Sequence, residues 1–360
     1  MSPDANRAER TGYELIDAGD GRRLERFGAR VVDRPAATAA ARRMTPGAWA
    51  GAELQFEPGA GWDGPTDPWA IEVSRLTLEL RPTASGGLGF YPEHEANIEW
   101  LASQVLSRAR VRQPSVLNLV GHTGLATLAA ARAGAAVVHV DAARSAVAWA
   151  RRNADQSGLV DRPIRWLVDH ASAFTAREAR RGRRYEGIVL DPPSFGRAGT
   201  RRWRLDEELP ALLASCRAVA ADDAFVLLTG HTTGISGDDL AEELDRAFGS
   251  RRRRAAIEVR PLALDATSGA RLELGWAARL PTRRARHAAN QQDGTRDREP
   301  GKPTDQGCRA PPRAAGTRRD RADPRRWRAR GAPSNGGRGD RRSSVRLSPT
   351  PCNARGAAGR

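Results

Sequence analysis

From about residue 89 to residue 282, short apolar runs alternate with amphipathic ones, and this alternation most narrows the folds open to the chain. SVLNLV (115–120), AAVVHVD (135–141), IRWLVDH (164–170), EGIVLD (186–191) and AFVLLTG (224–230) have strand length and are rich in aliphatic residues. GLATLAAARAG (124–134), ARSAVAWARRNADQSGL (143–159), DEELPALLASCRAVA (206–220) and DDLAEELDRAFG (238–249) repeat their apolar residues at helical spacing. Parallel neighbours in a sheet need such crossovers, so the pattern predicts a doubly wound, mainly parallel α/β sheet. Ligands of such sheets bind beyond the carboxyl ends of the strands. Pro210 is expected in the first turn of its helix, where a missing amide costs nothing. The last pair of runs, 255–264 and 271–280, is expected to be antiparallel.

Residues 1–88 read as a small β-rich region. GYELIDAGDGRRLERFGARVVD (12–33) places Asp-Gly between two strand-like runs, a hairpin signal. Residues 34–68 look irregular, and WAIEVSRLTLELRP (69–82) alternates as one strand. Residues 283–360 contain no Ile, Phe, Tyr or Met. Such a segment cannot bury enough apolar surface to offset its ordering entropy, so a basic, low-complexity and disordered tail is expected. It could serve as an RNA-binding arm, be a frameshift product of a G/C-rich gene, or be inert.

Charge adds little. The formal charge of +16 suggests an anionic partner, but residues 283–360 hold 21 basic and seven acidic residues. That leaves 38 basic and 36 acidic residues in 1–282, a nearly neutral part. The clusters RRGRR (180–184) and RRRR (251–254) could hold phosphates or be solvated turns. The three cysteines, Cys216, Cys308 and Cys352, form no metal-like cluster, and no metal is expected. No apolar run is long enough for a membrane span, so a cytoplasmic protein is expected.

NLVGHTGLA (118–126) joins the first strand to the first helix, and Gly121 and Gly124 permit a tight turn below free helix amides. Strand two ends on Asp141, where an acid can accept both hydroxyls of a ribose. Nicotinamide enzymes and methyltransferases share this arrangement, but only G-x-x-G of the dinucleotide fingerprint is present. Asp169 ends strand three and could accept an adenine amine or cap the next helix.

GIVLDPPSFGR (187–197) ends a buried run on an acid and then stiffens the chain. The fourth strand should lie beside the first, so DPPSF should emerge over the cofactor pocket. Pro192 and Pro193 fix the backbone and remove two donors, leaving carbonyls to accept. Asp191 adds a carboxylate, and Phe195 can offer a face for stacking a base. The alternative is a rigid loop exit with a buried Phe195.

The chain resembles the class I S-adenosylmethionine-dependent methyltransferases related to bacterial ribosomal-RNA enzymes with a D-P-P-x-F segment. Residues 116–159 look like that family's first motif through its second helix, LDPPSFGR like its fourth motif, and GFYPEHEANIEWL (89–101) like its pre-motif segment. The resemblance implies a Rossmann-like domain over 89–282, S-adenosylmethionine as cofactor and RNA as substrate. It implies a cofactor shell of Asn118, Gly121, Thr123, Gly124, Asp141, Asp169 and Asp191, with Glu93 added from the pre-motif segment. Asp191 and Pro192 would act at the methyl, and Pro193, Ser194, Phe195 and His231 would meet the acceptor. Ser194 stands where the family commonly has lysine.

Methylation at pyrimidine C5 needs a cysteine nucleophile. The loop LLTGHTTGIS (227–236) has none, and Cys216 falls at core spacing among Leu209, Leu212, Leu213 and Val219. Transfer to nitrogen or oxygen needs mainly alignment, so it is the expected chemistry. His231 could act as a base or contact substrate, or simply bond backbone. Methylation of a small molecule or protein, and a non-catalytic RNA-binding role, are the rival readings.

Overall fold

The computed structural model describes residues 12–198, 201–249 and 257–282, with backbone alone for 195–198, 201–203 and 206. The tail 283–360 and the cluster at 251–254 lie outside the described residues.

The N-terminal part opens with β1 (Tyr13–Gly19), β2 (Arg22–Phe27) and β3 (Arg30–Pro35), followed by β4 (Leu54–Glu57) and β5 (Gly61–Asp63) in one five-stranded sheet. Gly19 pairs with Arg22, so the expected hairpin turns on Asp20 and Gly21, at φ 52° and 77°. Two left-handed residues match the twist of such a hairpin. The stretch expected to be irregular thus contributes two strands and a 3-10 turn at Pro46–Gly51. The single strand expected over 69–82 is instead a hairpin, β6 (Trp69–Val73) and β7 (Leu76–Leu80). Ser74 and Arg75 turn it, at φ 50° and 63°. Each arm alternates, and only a one-residue slip of phase between Val73 and Leu76 marks the turn, which hides it from a periodicity reading.

The sheet beyond is built from α1 (Glu95–Ala109), β8 (Ser115–Leu119), α2 (Leu125–Arg132), β9 (Ala136–Asp141), α3 (Arg144–Gln156) and β10 (Ile164–Val168). Then come α4 (Ala171–Arg180), β11 (Tyr185–Leu190), a ribbon of β12 (Phe195–Ala198) and β13 (Arg201–Arg204), and α5 (Leu205–Val219). The domain ends with β14 (Ala220–Gly230), α6 (Gly237–Phe248), β15 (Glu258–Asp265) and β16 (Arg271–Leu280). The strand order is β10-β9-β8-β11-β14-β16-β15. The first five strands are parallel, and β16 pairs antiparallel with both β14 and β15, as expected for the final pair. Because β11 lies against β8, their carboxyl ends open side by side.

Side chains sort by strand period. Leu117, Leu119, Ile188, Leu190, Val226 and Leu228 face a cluster with Phe174 of α4, Leu209 and Leu213 of α5, and Leu240 and Leu244 of α6. Their neighbours Val116, Val189, Phe225 and Leu227 face Leu101 and Val105 of α1 and Ala130 and Ala131 of α2. Each central strand is therefore apolar on both faces, as a doubly covered sheet requires. Pro210 is the sixth residue of α5, inside the helix and not in its first turn as expected.

The N-terminal part shares a core with the larger sheet. Phe27, Ile71, Leu76 and Leu80 join Leu128 of α2 and Ala154 of α3 in one buried cluster. A second tie is Asp17, which accepts hydrogen bonds from Trp49 Nε1, Thr45 and Ser268 in the β15–β16 turn. Burial alone would raise this carboxyl, but those donors hold it well below the usual carboxylate range. No described helix is long and apolar enough to cross a membrane.

Candidate active site

One pocket lies over the carboxyl ends of β8 and β11. Its lining includes Gly89, Tyr91, His94, Asn118, Gly121, Gly124, Asp191 and Thr229.

The loop from β8 to α2 forms one rim. Val120, His122 and Gly124 sit at φ 57°, 47° and 94°. A left-handed valine is costly, and such outliers cluster where the backbone must approach a ligand. The two glycines are required by packing: a Cβ at Gly121 would lie 2.5 Å from the His139 ring, and one at Gly124 would lie 2.9 Å from Ala150 Cβ. Below the loop, Asn118 Nδ2 donates to Thr127 Oγ1 (2.8 Å), which lies 2.9 Å from His139 Nδ1. Burial drives the His139 imidazole down to about 3, so it stays neutral there. Thr123 lines the pocket, but its hydroxyl donates to the Gly89 carbonyl. Asn153 braces the same loop. Its Nδ2 donates to Thr123 O (2.9 Å), and its Oδ1 accepts the Glu79 amide (2.8 Å).

Asp141 stands at the end of β9, with one oxygen accepting the His122 amide and the other the Ala143 amide, each at 2.8 Å. Each oxygen keeps a further lone pair for a hydroxyl. Asp169, by contrast, is paired with Arg177 of α4 and accepts the His170 amide. It makes no side-chain cap for α4, whose N-cap is His170, and sequence reading missed the arginine because it lies a helix away.

The other rim is made of charge. Asp191 Oδ1 lies 3.2 Å from His231 Nε2, and Oδ2 lies 3.4 Å from His94 Nε2. Thr229 Oγ1 also donates to Asp191. His231 Nδ1 lies 3.0 Å from the Leu274 carbonyl. A carbonyl and a carboxylate only accept, so His231 must donate from both nitrogens and is therefore an imidazolium. Burial opposes that charge, but the Asp191 hydrogen bond and the Asp191 and Glu93 charges outweigh it and push the imidazolium up to about 9. Asp191 in turn is held well below the usual carboxylate range, against its own burial, by the two histidines. His231 thus bonds backbone, as one reading expected, through Nδ1, and meets Asp191 through Nε2. Ser194 accepts from Thr232 Oγ1 at 2.7 Å. Pro192 is buried and Pro193 exposed, while the Phe195 side chain lies outside the described residues.

Glu93 is buried, and its Oε2 has no hydrogen-bond partner. Glu93, His94 and His231 bring candidate ligand atoms within 4.8 Å of one another. With both nitrogens donating, however, His231 offers no lone pair, and the trio does not fit a cation.

Cys216 is fully buried in the α5 core, and burial pushes its thiol up, away from the thiolate that nucleophilic attack needs. Of the arginine cluster at 180–184, Arg181 pairs with Glu178 and Arg184 donates to the Ala218 carbonyl. Sequence reading also missed Tyr91, His94, Asn97, His122 and Thr229, none of which stands in a spacing that announces a site.

No family model matches the chain. It is similar to the ribosomal RNA large subunit methyltransferase I of Aeromonas salmonicida, at 29% identity over 214 residues, covering 56% of this chain and 50% of that protein. The corresponding protein of Shewanella denitrificans is 25% identical over 206 residues. The chain spans about half the length of the curated relatives it matches. Among solved structures, SMU.776, a methyltransferase complexed with S-adenosylhomocysteine, superposes with a TM-score of 0.59 at 14% identity, a likeness of fold alone. The S-adenosylmethionine-dependent methyltransferase of Agrobacterium tumefaciens superposes with a TM-score of 0.69 at 33% identity, covering 75% of this chain and 90% of that one. With that extent of likeness added to a seven-stranded sheet and a glycine loop over its carboxyl edge, the chain belongs to the S-adenosylmethionine-dependent methyltransferases, and S-adenosylmethionine is its cofactor.

Proposed function

We propose that the chain methylates a base in RNA, at nitrogen or oxygen rather than at pyrimidine C5. The observation that carries this reading is the opening of the glycine loop and Asp191 into one pocket. The ribosomal-RNA names of its relatives support RNA as the acceptor, and a cytoplasmic location goes with it.

Residues in and around the pocket suit the cofactor. The loop Asn118–Gly124 offers a close backbone approach and the free first-turn amides of α2. Asp141 offers acceptor capacity for ribose hydroxyls, and Glu93 a buried, unmatched oxygen. Asp169 reaches an adenine amine only by sharing its carboxylate with Arg177. When bound, the cofactor supplies an electrophilic methyl on a sulfonium.

The protein's own part is orientation. Asp191 and the carbonyls of Pro192 and Pro193 accept from an N–H or O–H and so aim the acceptor lone pair. Ser194 and Phe195 follow on the acceptor side. The transferred carbon leaves sulfur and joins the acceptor atom, whose proton passes to solvent or to a base. His231 is already an imidazolium, so it stabilises the Asp191 carboxylate rather than taking that proton. Buried Cys216 supports nitrogen or oxygen as the methylated atom, because C5 chemistry needs a thiolate at the ring.

The test is to incubate the full chain with methyl-labelled S-adenosylmethionine and total cellular RNA, then digest to nucleosides and weigh them. Label in an N- or O-methylated nucleoside is expected. Label in 5-methylcytidine would overturn the assignment of the atom. Label confined to proteins or small molecules would overturn the acceptor.

A further inference from the structure

Arg279 of β16 is a buried guanidinium, 8% exposed, that makes no ion pair among the described residues. Its Nε and Nη2 both donate to one neutral oxygen, Asn97 Oδ1, at 3.0 and 2.6 Å. Trp100 lies under it, 5.7 Å to the ring centroid. Burying a charge on an amide is expensive, so the arrangement calls for a reason.

That reason lies on the far side of Asn97. With Oδ1 committed to Arg279, the amide nitrogen must face the other way, and Nδ2 lies 3.5 Å from His94 Nδ1. An amide nitrogen only donates, so His94 Nδ1 must keep its lone pair. The ring's remaining proton then sits on Nε2, which lies 3.4 Å from Asp191 Oδ2 without closing a hydrogen bond to it. The other groups facing His94 are His231 (rings 5.2 Å apart), Tyr91 (6.4 Å), the buried Glu93 carboxylate, with an oxygen within 4.8 Å of a His94 ring nitrogen, and, more distantly, the charge partner His122. None of them offers His94 Nδ1 a second partner in the described geometry.

We infer that Arg279 and Asn97 are positioning residues for the methyl-transfer site: Arg279 fixes the Asn97 amide, and Asn97 fixes the tautomer that His94 presents to Asp191. The two histidines flanking Asp191 are thereby made unlike. His231 donates from both nitrogens, whereas His94 presents only Nε2 toward Asp191. His94 leaves Asp191 Oδ2 without a closed hydrogen bond, so that oxygen can accept an incoming acceptor N–H. This last step rests on the acceptor role proposed above for Asp191; the tautomer does not.

Asn97→Asp in the full chain tests the inference, because it is isosteric and gives Arg279 a carboxylate. It also places an acceptor against His94 Nδ1. Nitrogen-15 shifts of the imidazoles, assigned by His94→Gln, report the tautomer directly. Wild-type His94 should show a bare Nδ1 and a protonated Nε2, and Asn97→Asp should move a proton to Nδ1. S-adenosylmethionine affinity should stay within about twofold, while kcat falls about 10- to 100-fold, the scale for supporting hydrogen bonds around a site. Arg279→Met should release the amide and mix the His94 tautomers, and Arg279→Lys should restore part of the wild-type signature. A protonated Nδ1 in the wild type, or shifts in Asn97→Asp that do not move, would overturn the inference. If the shifts behave as expected but no RNA is methylated, the RNA reading fails and the tautomer assignment stands.

Discussion

The two rims of the pocket are built from different materials. Along the β8–α2 loop the work is done by backbone: left-handed residues, two glycines without room for a Cβ, and Asp141 oriented by two amides. Around Asp191 it is done by four side chains drawn from three places, His94, Asp191, and Thr229 with His231, with Leu274 behind them. A backbone rim can recognise a cofactor common to many enzymes, because its donors and spacing do not depend on side-chain identity. A rim of titrating side chains can be tuned to one acceptor, and it inherits a dependence on pH.

This contrast can be broken or sharpened by substitution. The largest effect is expected at the side-chain rim. Asp191→Asn should lower kcat by about 10²–10⁴-fold, the range for a positioned acid–base group, with cofactor affinity little changed. Equilibrium binding and single-turnover rates measured together decide this, and a collapse of cofactor affinity would move Asp191 to the other rim. Next, Asp141→Ala should weaken S-adenosylmethionine by about 1.5–3 kcal/mol, the scale of a hydrogen bond to a charged group. Calorimetry giving unchanged affinity in a folded variant would remove Asp141 from the ribose role.

A smaller effect concerns pH. The folded His231 titrates at about 9, above its usual 6.5, so its contribution to stability is complete below about 6.5 and is lost as pH rises through about 9. Thermal unfolding should therefore ease between those values, and His231→Gln should flatten that slope. A wild type whose melting temperature does not fall across that window would contradict the imidazolium. Smallest of all, Cys216→Ala should cost about 1 kcal/mol of stability and leave turnover intact. A trapped covalent adduct on Cys216 would reverse the view of the methylated atom.

The same difference in material explains what could be read from sequence. The sheet is legible because period-two aliphatic runs and glycine stops are local signals, and the carboxyl ends then follow from topology. Gly121, Gly124 and Asp141 are legible for the same reason, since backbone geometry restricts which residues can stand there. His94, Asn97 and Arg279 are not. Their meaning arises only when α1 and β16 are brought together across 182 positions of chain. The pairing of Asp169 with Arg177 is not legible either, because the partner stands two turns along the next helix. The 69–82 hairpin was missed since its turn uses Ser74 and Arg75, not glycine.

Asn153 carries a consequence for anyone who would trim this protein. Its single amide holds Glu79 of β7 with one end and Thr123 of the cofactor loop with the other. Cutting the chain at residue 88 would leave one end of that rivet empty and expose the apolar face beneath it. Conversely, tightening the loop should be felt at the other end: when cofactor binds, the Glu79 amide should exchange its hydrogen more slowly. The β6–β7 hairpin, which does not line the pocket, then serves as a strain gauge for its occupancy.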